Sequence, residues 1–193
     1  MAEGKVDKLI RCDWSLGCEE EIVYHDKEWG VPVHDDRIHF EFLTLEGAQA
    51  GLNWRTILKK REAYREAFDN FDVEKIAEYK EEKIENLMKN PGIVKHRLKI
   101  NSTVKNAKLF LDIQKEFGTF DSYVWKFVDN KRIVNKWEKT GDVPATSKES
   151  DQLSADLKKR GFKYCGSTIM YAYMQACGLI NDHLVTCFRY GQV

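Results

Sequence analysis

The densest run of candidate chemistry is Leu45-Glu46-Gly47-Ala48-Gln49-Ala50-Gly51-Leu52-Asn53-Trp54. A carboxylate is followed there by small residues, then by an aliphatic side chain and an indole. Such a carboxylate is either a solvated helix residue or the polar anchor of a pocket that backbone or a flat ligand approaches closely. Ile38, Phe42, Leu45 and Gln49 or Leu52 recur at three- and four-residue steps. That spacing predicts a helix with one buried face and Glu46 beside it.

Metal-ligating residue types cluster toward both ends of the chain. Cys12 and His25 lie near the start, and His183 and Cys187 stand at i and i+4 near the end, just after Asp182. Two Cys and two His make a natural tetrahedral zinc set, and the i,i+4 pair would share one helix face. The long gap between the pairs is unlike zinc-finger spacing and weakens that reading against the plainer one, scattered small and polar residues near loop-like termini. Four protein ligands would close the coordination sphere. Such a site would be structural, with no open position for water, and would clip the two termini together. His34 and His39 read as surface or packing residues, Cys165 and Cys177 as core, and Cys18 has no assigned role. Five cysteines without a regular framework point to free thiols or metal ligands instead of disulfides.

A third stretch, 85–97, joins two predicted helices through Pro91-Gly92. The amides of Gly92, Ile93, Val94 and Lys95 would precede a helix N-terminus, a ready anion site, with Lys95, His96, Arg97 and Lys99 adding charge. An ordinary αα-hairpin with a solvated basic start and a helix-hairpin-helix element gripping DNA phosphates both fit.

The elements that must position these groups are helices. Pro occurs three times, and no period-two alternation is long enough for a sheet, so the class is all-α. Asp35 or Asp36 caps the first long helix, and Asn53 caps a second to about Phe68, with Lys59, Lys60, Arg61 and Arg65 on its polar face. Further helices are expected over 73–79, 82–88, 96–117 and 120–128. After a loop over 130–144, Ser147 or Ser150 caps a helix to Arg160, and an apolar helix runs over 168–177 to Gly178. The 193 residues suit one domain with two helical lobes and a pocket between them, after a flexible extension over 1–11. No apolar run approaches a membrane span or a signal peptide, so a cytoplasmic monomer with no membrane partner is expected. A formal net charge of zero argues against DNA binding by bulk electrostatics but leaves room for a local basic face.

Taken together, several long motifs resemble the bacterial DNA-3-methyladenine glycosylase I family, within the helix-hairpin-helix glycosylases. They are Cys12-Asp13-Trp14, Tyr24-His25-Asp26-Lys27-Glu28-Trp29-Gly30-Val31-Pro32, the run from Leu45 to Trp54, Leu157 to Lys163, and Met174 to His183. The resemblance runs from about Cys12 to Cys187. It implies the helix-hairpin-helix glycosylase fold and one structural Zn2+ per chain, held by Cys12, His25, His183 and Cys187. It also implies a repair enzyme that flips 3-methyladenine out of alkylated double-stranded DNA and hydrolyses its N-glycosidic bond, releasing the free base. Glu46 and Tyr24 match the pocket carboxylate and tyrosine, the residues it marks as catalytic. Trp14 and Trp54 match the stacking tryptophans, and Leu52, supported by Gly51, matches the residue that plugs the gap. The sequence departs from the pattern in three places. Val94 stands where the hairpin usually has a second Gly, and His96 stands where lyase-type members carry a catalytic Lys, so no lyase step is expected. Glu21 replaces a tyrosine that some members carry in the pocket wall. Asp112 is a weak candidate for the water-activating base and otherwise reads as helix surface. Two rival readings are a zinc-clipped helical DNA-binding module without catalysis and an enzyme acting on free adenine-type bases.

Overall fold

The computed structural model describes residues 9–193. Residues 1–8 of the expected N-terminal extension lie outside the described residues. Ile10 and Arg11, counted in that extension, are held by the fold. The Ile10 carbonyl accepts from the Phe188 amide at 2.9 Å, and Arg11 pairs with Asp26 at 2.7 Å.

The chain forms nine α-helices among the described residues: α1 (Glu19–Lys27), α2 (Asp36–Gln49), α3 (Trp54–Ala67), α4 (Val73–Ala77), α5 (Glu81–Lys89), α6 (Arg97–Phe117), α7 (Phe120–Trp125), α8 (Lys148–Arg160) and α9 (Ser167–Ala176). Capping follows local chemistry. Asp35 accepts from the amides of Arg37 and Ile38, Asn53 from Thr56, and Ser147 from Ser150 in a capping box. Asp36 does another job: its carboxylate accepts from the amides of Phe120 and Asp121 and from Gln114, docking α7 onto α2.

Helix α2 is the centre of the molecule. It packs on α3, α6, α7 and α9, and His39 through Ala48 are all buried. A helix buried on every side must satisfy its polar residues internally. His39 does so between Tyr173, at 2.6 Å, and Asp121, at 3.1 Å, which makes it a packing residue as expected.

Four expectations change. The N-terminal region is not loop-like: a short 3-10 helix spans Asp13–Gly17 and α1 carries Tyr24 and His25. His183 and Cys187 sit in a tight turn, not on a helix face. Arg61 leaves the polar face of α3 and is buried, paired with Glu41 at 2.6 Å and Glu28 at 2.8 Å. The loop over 130–144 contains a two-residue strand, β1 (Ile133–Val134), pairing in parallel with β2 (Ile180–Asn181). Two residues carry no detectable alternation, so pattern reading has nothing to find. Gly178 is the hinge before β2: its φ is +68°, and a Cβ there would lie 2.3 Å from the Val31 carbonyl carbon. Only glycine allows α9 to end against that backbone.

Candidate active site and metal cluster

Glu46 lies near the C-terminal end of α2 and is 4 % exposed. Among the described residues none hydrogen-bonds to its carboxyl group. Burial alone pushes its pKa up from 4.5 to about 8. One and a half turns earlier on the same helix, Glu41 is also buried but is met by Arg61 and Arg65 at 2.6 and 2.8 Å. Two buried carboxyls on one helix are therefore treated oppositely: one is paired within the protein, the other is left without a partner. The Glu46 carboxyl faces a cavity instead of a protein partner.

That cavity measures about 200 Å³ and is lined by Trp14, Tyr24, Trp29, Glu46, Gln49, Trp54, Gln175 and Asp182, with Cys12, Thr140 and Val143 also contributing to its wall. The Tyr24 ring lies between Trp14, at 6.3 Å, and Trp54, at 5.4 Å. Burial and the nearby Glu46 hold the Tyr24 hydroxyl well above its ordinary range, so it is a neutral phenol and a donor. Trp54 is the first residue of α3, directly after the Asn53 cap, and Arg55 beside it reaches over Gly17 to pair with Glu21 at 3.1 Å. Glu21 therefore fastens α3 to α1 by charge.

The chain between α2 and α3 is hydrogen-bonded at its base and exposed at its tip. Lys99 Nζ donates to the carbonyls of Ala48 and Ala50 at 2.8 and 2.6 Å, capping the end of α2. Lys99 is thus engaged inside the protein instead of adding to the basic face. Gly51 turns the chain at φ +77° in open space, and Leu52 projects 45 % exposed. Leu52 does not extend the buried face of α2 as its spacing implied; it lies beyond the helix end. Gly47 abuts Tyr164, where a Cβ would meet the Tyr164 Cβ at 3.2 Å, so its smallness serves packing.

The turn between α5 and α6 sits across from α3. Ile93 is buried in the core, the Gly92 amide donates to Asn90 Oδ1 at 2.7 Å, and the Val94 amide donates to the Tyr64 hydroxyl at 3.2 Å. The amides of Ile93 and Lys95 are left without a partner among the described residues. His96 is the N-cap of α6, accepting from the Lys99 amide. Arg97 is paired with Glu81 at 2.5 Å and with Glu85. Lys95 is exposed and has no ion-pair partner among the described residues. Asp112 is exposed, paired with Lys115 at 3.1 Å and absent from the cavity lining, a surface residue of α6.

Cys12, His25, His183 and Cys187 come together as a buried cluster, their ligand atoms all within 4.8 Å of one another. Cys187 Sγ lies 3.4 Å from His25 Nε2 and 3.5 Å from His183 Nδ1; Cys12 Sγ lies 3.8 Å from His183 Nδ1. These match the edges of a tetrahedron whose ligand bonds are about 2.0–2.3 Å. The outer nitrogens are also occupied: His25 Nδ1 meets Asp26 at 2.8 Å, and His183 Nε2 donates to the Trp29 carbonyl at 3.0 Å. Such contacts fix the tautomer that turns the other nitrogen toward an ion. The donor set and its surroundings therefore fit one metal ion.

Several cavity residues escape residue-by-residue sequence reading. Gln175 and Asp182 fall within the Met174–His183 stretch but carry no spacing signal of their own, and Thr140 and Val143 come from a segment read as loop. No described helix is long and apolar enough to cross a membrane.

Known proteins place this arrangement. The family model for methyladenine glycosylase matches residues 14–190. The chain is 46 % identical over 182 residues to DNA-3-methyladenine glycosylase 1 of Escherichia coli, covering 94 % of this chain and 97 % of that protein. It is 48 % identical over 177 residues to DNA-3-methyladenine glycosylase of Haemophilus influenzae, covering 92 % and 96 %. A solved structure of a single-residue variant of 3-methyladenine DNA glycosylase I, in complex with 3-methyladenine, superposes with a TM-score of 0.89 at 37 % identity, covering 92 % of this chain and 96 % of that one. With the cavity, the unpaired buried carboxyl and the Cys/His cluster all carried on the fold of those relatives, the chain belongs to the methyladenine glycosylase family.

Proposed function

We propose that this protein removes 3-methyladenine from alkylated double-stranded DNA by hydrolysing its N-glycosidic bond, leaving an abasic site. The observation that carries the reading is Glu46: a buried carboxyl, unpartnered by protein, in an aromatic-lined cavity of about 200 Å³. Methylation at N3 makes the attached adenine a cation, so it departs without being protonated by the enzyme. The demanding step is extrusion from the duplex, which costs a few kcal/mol. Leu52, exposed at the tip of a loop braced by Lys99 and the Asn53 cap, fills the vacated place, and Gly51 lets the backbone approach. The free amides of Ile93 and Lys95 and the Lys95 ammonium contact phosphate, with Gly92 and Val94 shaping the turn of a helix-hairpin-helix element. Arg97 reaches phosphate only by leaving Glu81 and Glu85.

In the pocket the base stacks on Trp14 and Trp54, worth roughly 1–3 kcal/mol per stacked base, and its positive charge gains cation–π attraction from the indoles. Glu46 accepts from the exocyclic amine. Its proton is lost as a cation enters, because the incoming charge opposes the desolvation that raised its pKa. Tyr24, a neutral donor, sits between the two tryptophans. His96 cannot form a Schiff base, so the enzyme is monofunctional. The Cys12, His25, His183 and Cys187 cluster holds one Zn2+, closed by four protein ligands, whose work is to tie the termini. The protein acts in the cytoplasm as a monomer.

The test is chromatography of bases released from methylated DNA. The wild type releases 3-methyladenine, and Glu46→Ala and Trp54→Ala cut the rate by about tenfold or more, the loss of roughly 1.4 kcal/mol or more of transition-state stabilisation. Wild-type-like release by both variants removes them from the pocket. Binding to DNA with no base released by the wild type would favour the non-catalytic binding module.

A further inference from the structure

One polar side chain in the cavity wall has its orientation dictated by its neighbours. Gln175 lines the cavity from α9, and its amide nitrogen donates to Asp182 Oδ2 at 2.7 Å. The same oxygen accepts from the Tyr171 hydroxyl at 2.6 Å. Asp182 Oδ1 accepts from Asn135 Nδ2 and from Trp137 Nε1, both at 2.7 Å. Asp182 is 2 % exposed, and its four donors fill the lone-pair positions of one carboxylate. An amide facing such a group must present its NH2, since the reverse orientation would set two acceptors against each other. The Gln175 carbonyl oxygen is thereby fixed away from Asp182 and has no partner among the described residues.

We infer that Gln175 is a specificity-determining residue: its anchored carbonyl oxygen is a second acceptor in the cavity beside Glu46, and together they select a base edge carrying an exocyclic amine over one carrying a carbonyl. This rests on the glycosylase reading above. The amine of 3-methyladenine supplies two N–H donors, enough for both acceptors. The same edge of 3-methylguanine presents a carbonyl oxygen, which meets an acceptor without a proton between them and leaves both unpaired. A freely rotating glutamine would turn its NH2 toward that carbonyl and tolerate either base. Asp182 forbids the rotation, so Asp182 is the positioning residue. Its three other donors reach it from α9 and from the segment carrying β1, and the loop over 130–144 gains a role as the scaffold of this selection.

The experiment uses the full, metal-loaded chain. Binding of free 3-methyladenine and free 3-methylguanine is read from tryptophan fluorescence, and release of both bases from methylated DNA is read by chromatography. Gln175→Met, close in volume and without donor or acceptor, is expected to weaken 3-methyladenine binding about tenfold while 3-methylguanine binding changes less than about twofold. The ratio of the two release rates narrows by about the same tenfold. Gln175→Asn, milder for folding, withdraws the oxygen by one methylene and moves the ratio in the same direction. A purely structural defect lowers both bases alike. A folded Gln175→Met or Gln175→Asn protein with the wild-type preference overturns the inference while the glycosylase reading stands. A wild type that neither binds nor releases 3-methyladenine overturns the reading itself.

Discussion

Replacing Glu46 by glutamine should stabilise the protein, increasingly so as pH rises. Burial raises the Glu46 pKa from 4.5 to about 8, and no described residue hydrogen-bonds to the carboxyl group. The folded state therefore holds a proton that the unfolded chain gives up. A group of this sign favours folding fully below pH 4.5 and loses that contribution as pH rises to about 8, at up to about 1.4 kcal/mol per unit. Between pH 5 and pH 7 the loss comes to about 2.5 kcal/mol. Glutamine does not titrate, so Glu46→Gln escapes it, and whatever fixed effect the amide brings is equal at both values. For a chain of this size the gap in melting temperature between variant and wild type should widen by about 5–10 °C from pH 5 to pH 7. Thermal melts of the two proteins at the two pH values measure it as a difference of differences, which cancels every other titrating group. A gap that stays constant, or narrows, would show that Glu46 is solvated or paired in the folded protein and would remove the basis for its role as an empty-handed acceptor. The expected outcome also exposes a trade: the carboxyl proposed to recognise the base destabilises the protein that carries it.

Other expectations follow from the same geometry. Leu52→Ala should cut release from double-stranded DNA by about tenfold while free 3-methyladenine binds as in the wild type, because the side chain projects from the loop beyond the cavity wall; equal losses in both assays would place Leu52 in the pocket. Purified protein should contain one zinc per chain by elemental analysis, and the double variant His183→Ala/Cys187→Ser should lose the metal and melt at lower temperature; a metal-free wild type of equal stability would end the zinc reading. Lys99→Met should lower stability by about 1–3 kcal/mol in denaturant titration, since the carbonyls of Ala48 and Ala50 lose a charged donor, and should depress DNA release more than free-base binding. An unchanged midpoint would mean that the two hydrogen bonds do not form in solution.

Much of the helical frame is legible in local chemistry. Asp35, Asn53, Asp72 and Ser147 cap their helices, and the Pro91-Gly92 turn separates α5 from α6. Caps and breakers act within four residues, so the sequence states them directly. The run from Leu45 to Trp54 announces itself too, by composition. What composition leaves open is the environment. Glu41 and Glu46 are the same residue type on the same helix. Whether each is paired is decided by Arg61 and Arg65 arriving from α3, and both of those arginines were expected on its polar face.

By itself the sequence determined most of the helices from α2 onward, the candidate caps, the four candidate metal-ligand residues and the family whose motifs it carries. The tertiary structure alone decided three things. Cys12 and His25 meet His183 and Cys187 because chain ends far apart in sequence fold against each other. Glu46 is left without a protein partner in an aromatic-lined cavity. Gln175 is turned to offer an oxygen because four donors converge on Asp182. The reason is common to all three: local pattern sets the conformation of each segment, but burial and pairing depend on groups that only long-range packing brings within hydrogen-bond reach.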